Sequence, residues 1–258
     1  MIRVERVSKS FQSGWLRQRT HEAVKQVSFS IGKGETLGLI GESGCGKSTL
    51  SRLMVKLLPV DKGKIFFEDT DITDYTMKQM FSLRTKMQII FQHPDSALHP
   101  RQTILQSLLE PLLLHQITDR KQAIERVQDL LASVGLTEDI LSRYPHQVSG
   151  GQIQRVVIAR ALTLEPRFIV LDEPTSMLDV SVQAQVIDVL KTIQKQFDLT
   201  YLFISHDLDL VAHVSDRIAV MHKGEIVELD QSKKMMGEPV HTYSQKLVKA
   251  FRTYQMNG

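Results

Sequence analysis

Eight consecutive residues, Gly41-Glu42-Ser43-Gly44-Cys45-Gly46-Lys47-Ser48, set three glycines against a lysine and a serine. Glycine allows backbone conformations that a side chain obstructs, so successive N–H groups of such a segment can turn inward onto one anion. The lysine adds a mobile cation for the outer phosphates of a nucleoside triphosphate, and the serine hydroxyl can hold Mg²⁺. A chance glycine turn is the competing explanation. A full eight-residue match between a buried strand and a helix argues against it.

Three later segments place polar groups where chemistry could use them. Asp172 closes the apolar run Phe168-Ile169-Val170-Leu171, where a carboxylate can hold Mg²⁺ through its water shell. Glu173 follows directly and can serve as general base towards a water, a role worth roughly 10²–10⁴ in rate. Asp-Glu pairs are common and usually solvated; the preceding apolar run is what lifts this one. His206 follows Tyr201 to Ile204 within Ser205-His206-Asp207, although a lone histidine at a strand end is more often structural. Val148-Ser149-Gly150-Gly151-Gln152 heads a helical stretch through Arg155 and Arg160. Its serine hydroxyl and glycine N–H groups suit a second phosphate-binding helix end.

These residues need elements to hold them. Short apolar runs at Ile2, Val4 and Val7, then Ala23 to Ile31, then Leu37 to Ile40, predict strands, the last feeding the glycine loop. Between the first two, Ser13 to Glu22 is polar and basic and predicts an exposed hairpin extension. Leu50, Leu53, Met54 and Leu57 predict a helix from Lys47 to Leu58, stopped by Pro59. Met87 to Phe91 reads as another buried strand. From Ile104 to Ala161 the pattern turns helical and leucine-rich. From Arg167 on, strands and helices alternate: Phe168 to Leu171, a helix from Val180 to Gln196, Tyr201 to Ile204, a helix from Leu208, then Arg217 to Met221 and Glu225 to Leu229. A short helix around Tyr243 to Phe251 ends the chain. An α/β core with a helical insert between two strands accounts for this order.

Bulk properties narrow the class further. At 258 residues with 42% hydrophobic and 24% charged residues, the chain suits one large domain or two lobes. Lys plus Arg number 32 against 29 Asp plus Glu, a net charge of +3, too slight for the basic stripe of a nucleic-acid binder. One cysteine, Cys45, precludes an internal disulfide and fits a reducing compartment. No leader or spanning stretch is expected: charges interrupt the first ten residues, and Glu110 and Pro111 break the apolar run Leu108 to Leu114.

The four segments, in this order, resemble the ATP-binding subunit of an ABC transporter across almost the whole chain. That resemblance implies a P-loop NTPase core with an antiparallel β subdomain (residues 1–94 and 162–232), an inserted helical subdomain (95–161) and a C-terminal helical tail (233–258). It implies nucleotide contacts from Gly41, Glu42, Ser43, Gly44, Cys45, Gly46, Lys47, Ser48 and Thr49, with Ser48, Gln92 and Asp172 on Mg²⁺. Gln92 would also touch the attacking water and sense the membrane partner, and His206 would contact the γ-phosphate beside the base Glu173. Phe11 would stack on adenine, although an aromatic in a strand is more often core. Ser149, Gly150, Gly151 and Gln152 would close the ATP of a second ATPase chain in a head-to-tail dimer, because the segment is expected too far along the helical lobe to serve its own loop. Asp179, in Ser176-Met177-Leu178-Asp179, would lie on the loop crossing that interface. Val148 and Met177 depart from the family's usual leucine and alanine. Cys45 is expected to turn its side chain away, yet its nearness to ATP makes it an alkylation target.

Pro94 to Pro111 and the tail Pro239 to Gln245 are similar to the oligopeptide, dipeptide and nickel import branch, with Thr242 where that branch has proline. The short length, the lack of a C-terminal cysteine cluster, and segments such as Gln152 to Arg155 look more like its nickel-import subunit. The implied partners are a second ATPase subunit, sister or identical, two membrane permeases and an extracytoplasmic binding protein, at the cytoplasmic face of the inner membrane. The competing reading is a soluble ABC-type ATPase acting on DNA or ribosomes, against which stand the single ATPase domain and the absence of a long heptad tract. A nucleotide-binding regulator without hydrolysis is opposed by Gln92, Glu173 and His206 together.

Overall fold

The computed structural model describes residues 1–13 and 19–256. Part of the expected hairpin extension, residues 14–18, lies outside the described residues; Thr20, His21 and Glu22 beyond it are exposed. In chain order the elements are β1 (Ile2–Ser13), β2 (Arg19–Ile31), β3 (Thr36–Ile40), α1 (Lys47–Met54), β4 (Lys62–Phe67), β5 (Thr70–Asp71) and α2 (Met77–Leu83). Then come β6 (Met87–Ile90), α3 (Ile104–Leu114), α4 (Arg120–Ser133), α5 (Gly150–Leu162), β7 (Phe168–Asp172) and α6 (Val180–Phe197). The chain closes with β8 (Thr200–Ile204), α7 (Leu208–Val214), β9 (Arg217–His222), β10 (Glu225–Gln231), α8 (Ser232–Gly237) and α9 (Thr242–Met256). Two compact units result, residues 1–80 with 200–258, and residues 81–199.

The first unit holds an antiparallel sheet in the order β2-β1-β4-β5. Ile2 faces Ile31 and Val4 faces Phe29 across β1 and β2, burying one face. The β4–β5 hairpin, which the sequence did not announce, turns on Glu68 and Asp69 with φ of 47° and 65°. Two consecutive left-handed residues make the kind of tight turn whose twist matches antiparallel strands. In the same unit β3 pairs in parallel with both β8 and β9, and β10 adds antiparallel to β9. All five residues of β3 and of β8 are buried, as continuous apolar runs in parallel sheets require.

Helix α1 buries Leu50, Leu53 and Met54 but stops at Met54, short of the Leu58 end that the spacing predicts. Lys56 adopts φ 55°; its N–H donates to Leu53 O, and that of Leu57 to Arg52 O. That bond pair is a Schellman stop, built here on lysine instead of the usual glycine. The tail helix α9 is longer than expected, and α8 precedes it.

In the second unit β6 and β7 pair in parallel, Met87 opposite Phe168 and Ile90 opposite Leu171. Three helices surround this unit's core through Leu108, Leu112, Val127, Leu131, Val156 and Ile158, all almost wholly buried. Thr103 and Gln106 cap α3 reciprocally, and Asp119 caps α4 by accepting from Lys121 N–H and Gln122 N–H. Pro111 sits inside α3 and cannot donate to the carbonyl one turn back. That carbonyl, on Ser107, accepts Nε of Arg160 from α5 at 2.9 Å, while Arg160 Nη2 reaches Glu110 at 2.6 Å. One arginine thus answers the backbone group that the proline leaves and ties α3 to α5. Among the described residues no helix is long and apolar enough to cross a membrane.

Candidate functional site

In the first unit the strand β3 ends in the glycine loop, and α1 begins at Lys47. The loop is seated directly on its neighbours. A Cβ on Gly46 (φ 113°) would lie 2.2 Å from Ala23 O, and one on Gly41 (φ 153°) 2.1 Å from Met221 O. Both positions therefore need glycine for backbone angle and for close approach. Gly46 occupies the cap position of α1 and, lacking a side chain, leaves that helix start without a side-chain cap. The first N–H groups of any α-helix have no intrahelical acceptor, so an uncapped start attracts an anion.

Lys47 is 7% exposed and folds back over the loop, Nζ donating to the carbonyls of Gly41 at 2.7 Å and Glu42 at 3.0 Å. Glu42, Ser43, Gly44 and Ser48 are exposed, and Thr49 is half-buried. Cys45 is 7% exposed, and burial pushes its thiol pKa above the ordinary range, an effect the Lys47 ammonium only partly offsets. The alkylation expected of Cys45 is thus disfavoured, because the reactive thiolate is both scarce and covered. His206 is exposed at the end of β8, where Asp207 caps α7 by accepting from Leu210 N–H. Phe11 on β1 is 39% exposed, so it is no core residue, and Lys9 Nζ lies 5.8 Å from its ring centroid. A cavity of about 390 Å³ beside the loop is lined by His21, Glu22, Ala23, Glu42, Cys45 and His222.

The sequence reading missed the support on the loop's outer side. Tyr243 from α9 presents its hydroxyl to Glu42 N–H at 3.3 Å and stacks on His222 at 3.9 Å between ring centroids. The turn after β9 also holds the loop, Gly224 N–H donating to Cys45 O at 3.0 Å. The stretch Pro239 to Gln245 stood out in sequence only as a branch marker; nothing local tells that Tyr243 returns to Glu42.

In the second unit Asp172 is buried at the end of β7, and Glu173 follows it with φ 52°. A left-handed glutamate is uncommon, and such backbone strain gathers at functional sites. Gln92, exposed just after β6, donates from Nε2 to the Glu173 carboxylate at 3.1 Å. Strand pairing of β6 with β7 brings the two together. Ser149 caps α5 in a closed box: its hydroxyl accepts from Gln152 N–H at 3.3 Å, and Gln152 Oε1 accepts from Ser149 N–H at 3.0 Å. A Cβ on Gly151 would meet Val182 of α6 at 2.5 Å, whereas one on Gly150 would make an ordinary 3.5 Å contact with Leu178. Arg155 links α5 to Gly135 O and to Gln185 of α6. Asp179 is exposed at the start of α6, and Gln183 holds the preceding loop by donating to Thr175 O and Leu178 O, each at 3.0 Å.

An uncapped helix start behind a glycine loop, and a strained glutamate held by a glutamine, are what a nucleotide-hydrolysing fold displays, and comparison with known proteins agrees. The profile of the ABC transporter family matches residues 24–176, so the chain belongs to that family. It is an ATP-binding, ATP-hydrolysing member. Oligopeptide transport ATP-binding protein OppF of Streptococcus mutans is 47% identical over 251 residues, covering 97% of this chain and 81% of the relative. Oligopeptide transport ATP-binding protein AppF of Bacillus subtilis is 44% identical over 263 residues, covering 100% of this chain and 80% of the relative. Among solved structures, the post-hydrolysis dimer of the ATP-binding cassette MJ0796 bound to ADP and Pi superposes with a TM-score of 0.81 at 27% identity. It covers 90% of this chain and 99% of that one.

Proposed function

We propose that this chain drives peptide import from the cytoplasmic face of a bacterial inner membrane, as one of two ATPase subunits clamped head to tail around ATP. The observation that carries the hydrolytic part is the 3.1 Å bond from Gln92 to the strained Glu173. Peptide as cargo is supported by the oligopeptide names of the relatives reported above; none of those carries nickel in its name, so the nickel preference of the sequence is not carried forward. The head-to-tail arrangement is supported by the dimeric form of the MJ0796 cassette.

In this reading residues 1–94 and 162–232 form the core with its β subdomain, 95–161 the helical subdomain, and 233–258 the tail. Gly41, Glu42, Ser43, Gly44, Cys45, Gly46, Lys47, Ser48 and Thr49 bind the triphosphate, with Lys47 swinging from its loop carbonyls to the outer phosphates. Phe11 stacks on the base and His206 contacts the terminal phosphate. Glu173 accepts the proton of the attacking water, and Gln92 holds the carboxylate and that water in line. Ser149, Gly150, Gly151 and Gln152, with Asp179 beside them, face the partner's nucleotide.

Ser48, Gln92 and Asp172 offer Mg²⁺ a hydroxyl, an amide and a carboxylate, all hard oxygen donors of the kind it takes. Phosphate oxygens and waters would complete the ion's shell. Bound there, Mg²⁺ would neutralise charge on the phosphates. Two permeases would receive the clamp's motion, and a binding protein would deliver the peptide.

Replacing Glu173 by Gln tests the reading. The amide keeps the shape but accepts no proton, so ATP affinity should persist while turnover by the assembled transporter falls roughly 10²-fold or more. Wild-type turnover in that variant would remove Glu173 from the role of base.

A further inference from the structure

We infer that Tyr243 is a positioning residue for the nucleotide loop, through which the C-terminal tail sets affinity for ATP. The inference rests on the reading of residues 41–49 as the ATP-binding loop. The peptide units on either side of Glu42 are fixed from two directions: Tyr243 Oη accepts the Glu42 N–H, and Lys47 Nζ donates to the Glu42 carbonyl. Glu42 itself is exposed at the head of the loop, where neither strand nor helix pairing holds its N–H. The carbonyl side of that same peptide unit is held by Lys47 Nζ on Gly41 O at 2.7 Å, so once Lys47 turns to the phosphates the phenol is the bond that keeps the unit in a conformation matched to a phosphate chain. Ordering a loop on binding weakens affinity, and holding it in advance removes that penalty.

The tyrosine is itself held. Its ring stacks on His222 at an interplanar angle of 29°, so rotation about the side chain is restricted. His222 ends β9, whose turn donates Gly224 N–H to the loop's Cys45 carbonyl, so stack and loop share one support. Burial lifts the phenol pKa, so the group beside the Glu42 N–H is a neutral hydroxyl. The tail that brings Tyr243 here is pinned before α9 starts: the Glu228 carboxylate of β10 accepts Val240 N–H at 2.7 Å and His241 N–H at 2.9 Å. Val248, further along α9, is 3% exposed and seats the helix. Glu228, His222 and Tyr243 therefore form a line of attachment from the sheet, through the tail, to the loop.

The test compares Tyr243→Phe with the unaltered full chain. Phenylalanine keeps the stack and removes only the hydroxyl. The Kd for ATP, read by fluorescent-nucleotide titration, should rise about three- to tenfold, the range of one neutral hydrogen bond. In the assembled transporter the rise should fall on KM for ATP, with kcat altered less than about twofold. His222→Ala should weaken ATP binding as well. The double variant should be no weaker than Tyr243→Phe alone, because both act through the same bond. Lys47→Ala is measured alongside and should abolish tight binding. Unchanged affinity in Tyr243→Phe with binding lost in Lys47→Ala overturns the role of Tyr243 and leaves the loop assignment intact. Unchanged affinity in Lys47→Ala overturns the loop assignment, and the inference with it. A fall in kcat at constant KM, or additive losses in the double variant, also overturns it.

Discussion

Helices α1 and α5 both start from glycine-rich segments, and their first turns are finished in opposite ways. At α1 the cap position is Gly46, which has no side chain, and the loop before it is packed against the carbonyls of Ala23 and Met221. At α5 the cap is Ser149, whose hydroxyl and whose N–H are both matched by Gln152. The first start has its rear face closed and its front without a side-chain cap; the second answers part of its own first turn. An uncapped end takes its acceptors from water or a ligand, so the start of α1 is open to an anion. At the capped end the box answers the Gln152 N–H within the chain, so the Ser149 hydroxyl meets a phosphate only as an additional partner. That difference fits a site that binds in one chain and closes with another.

The largest expected effect tests this contrast directly. Ser149→Arg places a bulky cation at the capped start. ATP affinity of the isolated chain should stay within about twofold, while hydrolysis by the assembled transporter falls roughly 10²-fold or more, the scale of losing a donor aimed at developing charge. Loss of ATP binding in the isolated variant would mean that the segment serves its own loop, and the head-to-tail pairing would be wrong.

Cys45 sharpens the description of the loop's rear face. With its pKa raised by burial, it should react with iodoacetamide more slowly than a small free thiol at pH 7.5, since only the thiolate attacks. The rate should go on rising at pH values where an ordinary thiol has already levelled off. A rate equal to that of free cysteine would show the loop to be open behind.

A smaller difference lies in the glycines. Gly46→Ala drives a Cβ to 2.2 Å from a backbone oxygen at a φ that alanine resists, and should cost on the order of 3 kcal/mol in denaturant unfolding. Gly150→Ala meets only an ordinary 3.5 Å contact and joins a helix, so stability should hold or rise by at most about 1 kcal/mol. Equal losses in the two variants would erase the distinction drawn between the two starts.

Much of this was legible in the chain itself. The glycine loop, the strand before it, the Asp172-Glu173 pair and the serine start of α5 stand where apolar runs and spacing put them. Local grammar reached them because each is a strand end or a helix start. Where local grammar gives no sign, the reading fell short. Lys56 ends α1 by taking a conformation that nothing about lysine announces. The β4–β5 hairpin turns on Glu68 and Asp69, residues without the glycine that marks such turns, so it passed unread. Phe11 stayed ambiguous between core and stacking until its exposure was known. Ser149 and Gln152 were read for a ligand, although their spacing is also that of a capping box. Tyr243 was beyond reach, since its meaning lies in a partner from the opposite part of the chain.

The pairing of β3 has a consequence for how the protein is made. Both edges of that strand are filled by β8 and β9, from the last third of the chain, and all five of its residues are buried once they arrive. A ribosome adding about 5–20 residues per second leaves β3 unpartnered for on the order of ten seconds or more. During that interval the nascent chain carries an apolar strand with two open edges, a template for pairing with other chains. The glycine loop is in the same position, because Met221 and Gly224, which back it, emerge later still. Competence to hold a nucleotide therefore arrives near the end of synthesis, and a chain stopped after α6 would carry the complete loop sequence with only the Ala23 part of its seat.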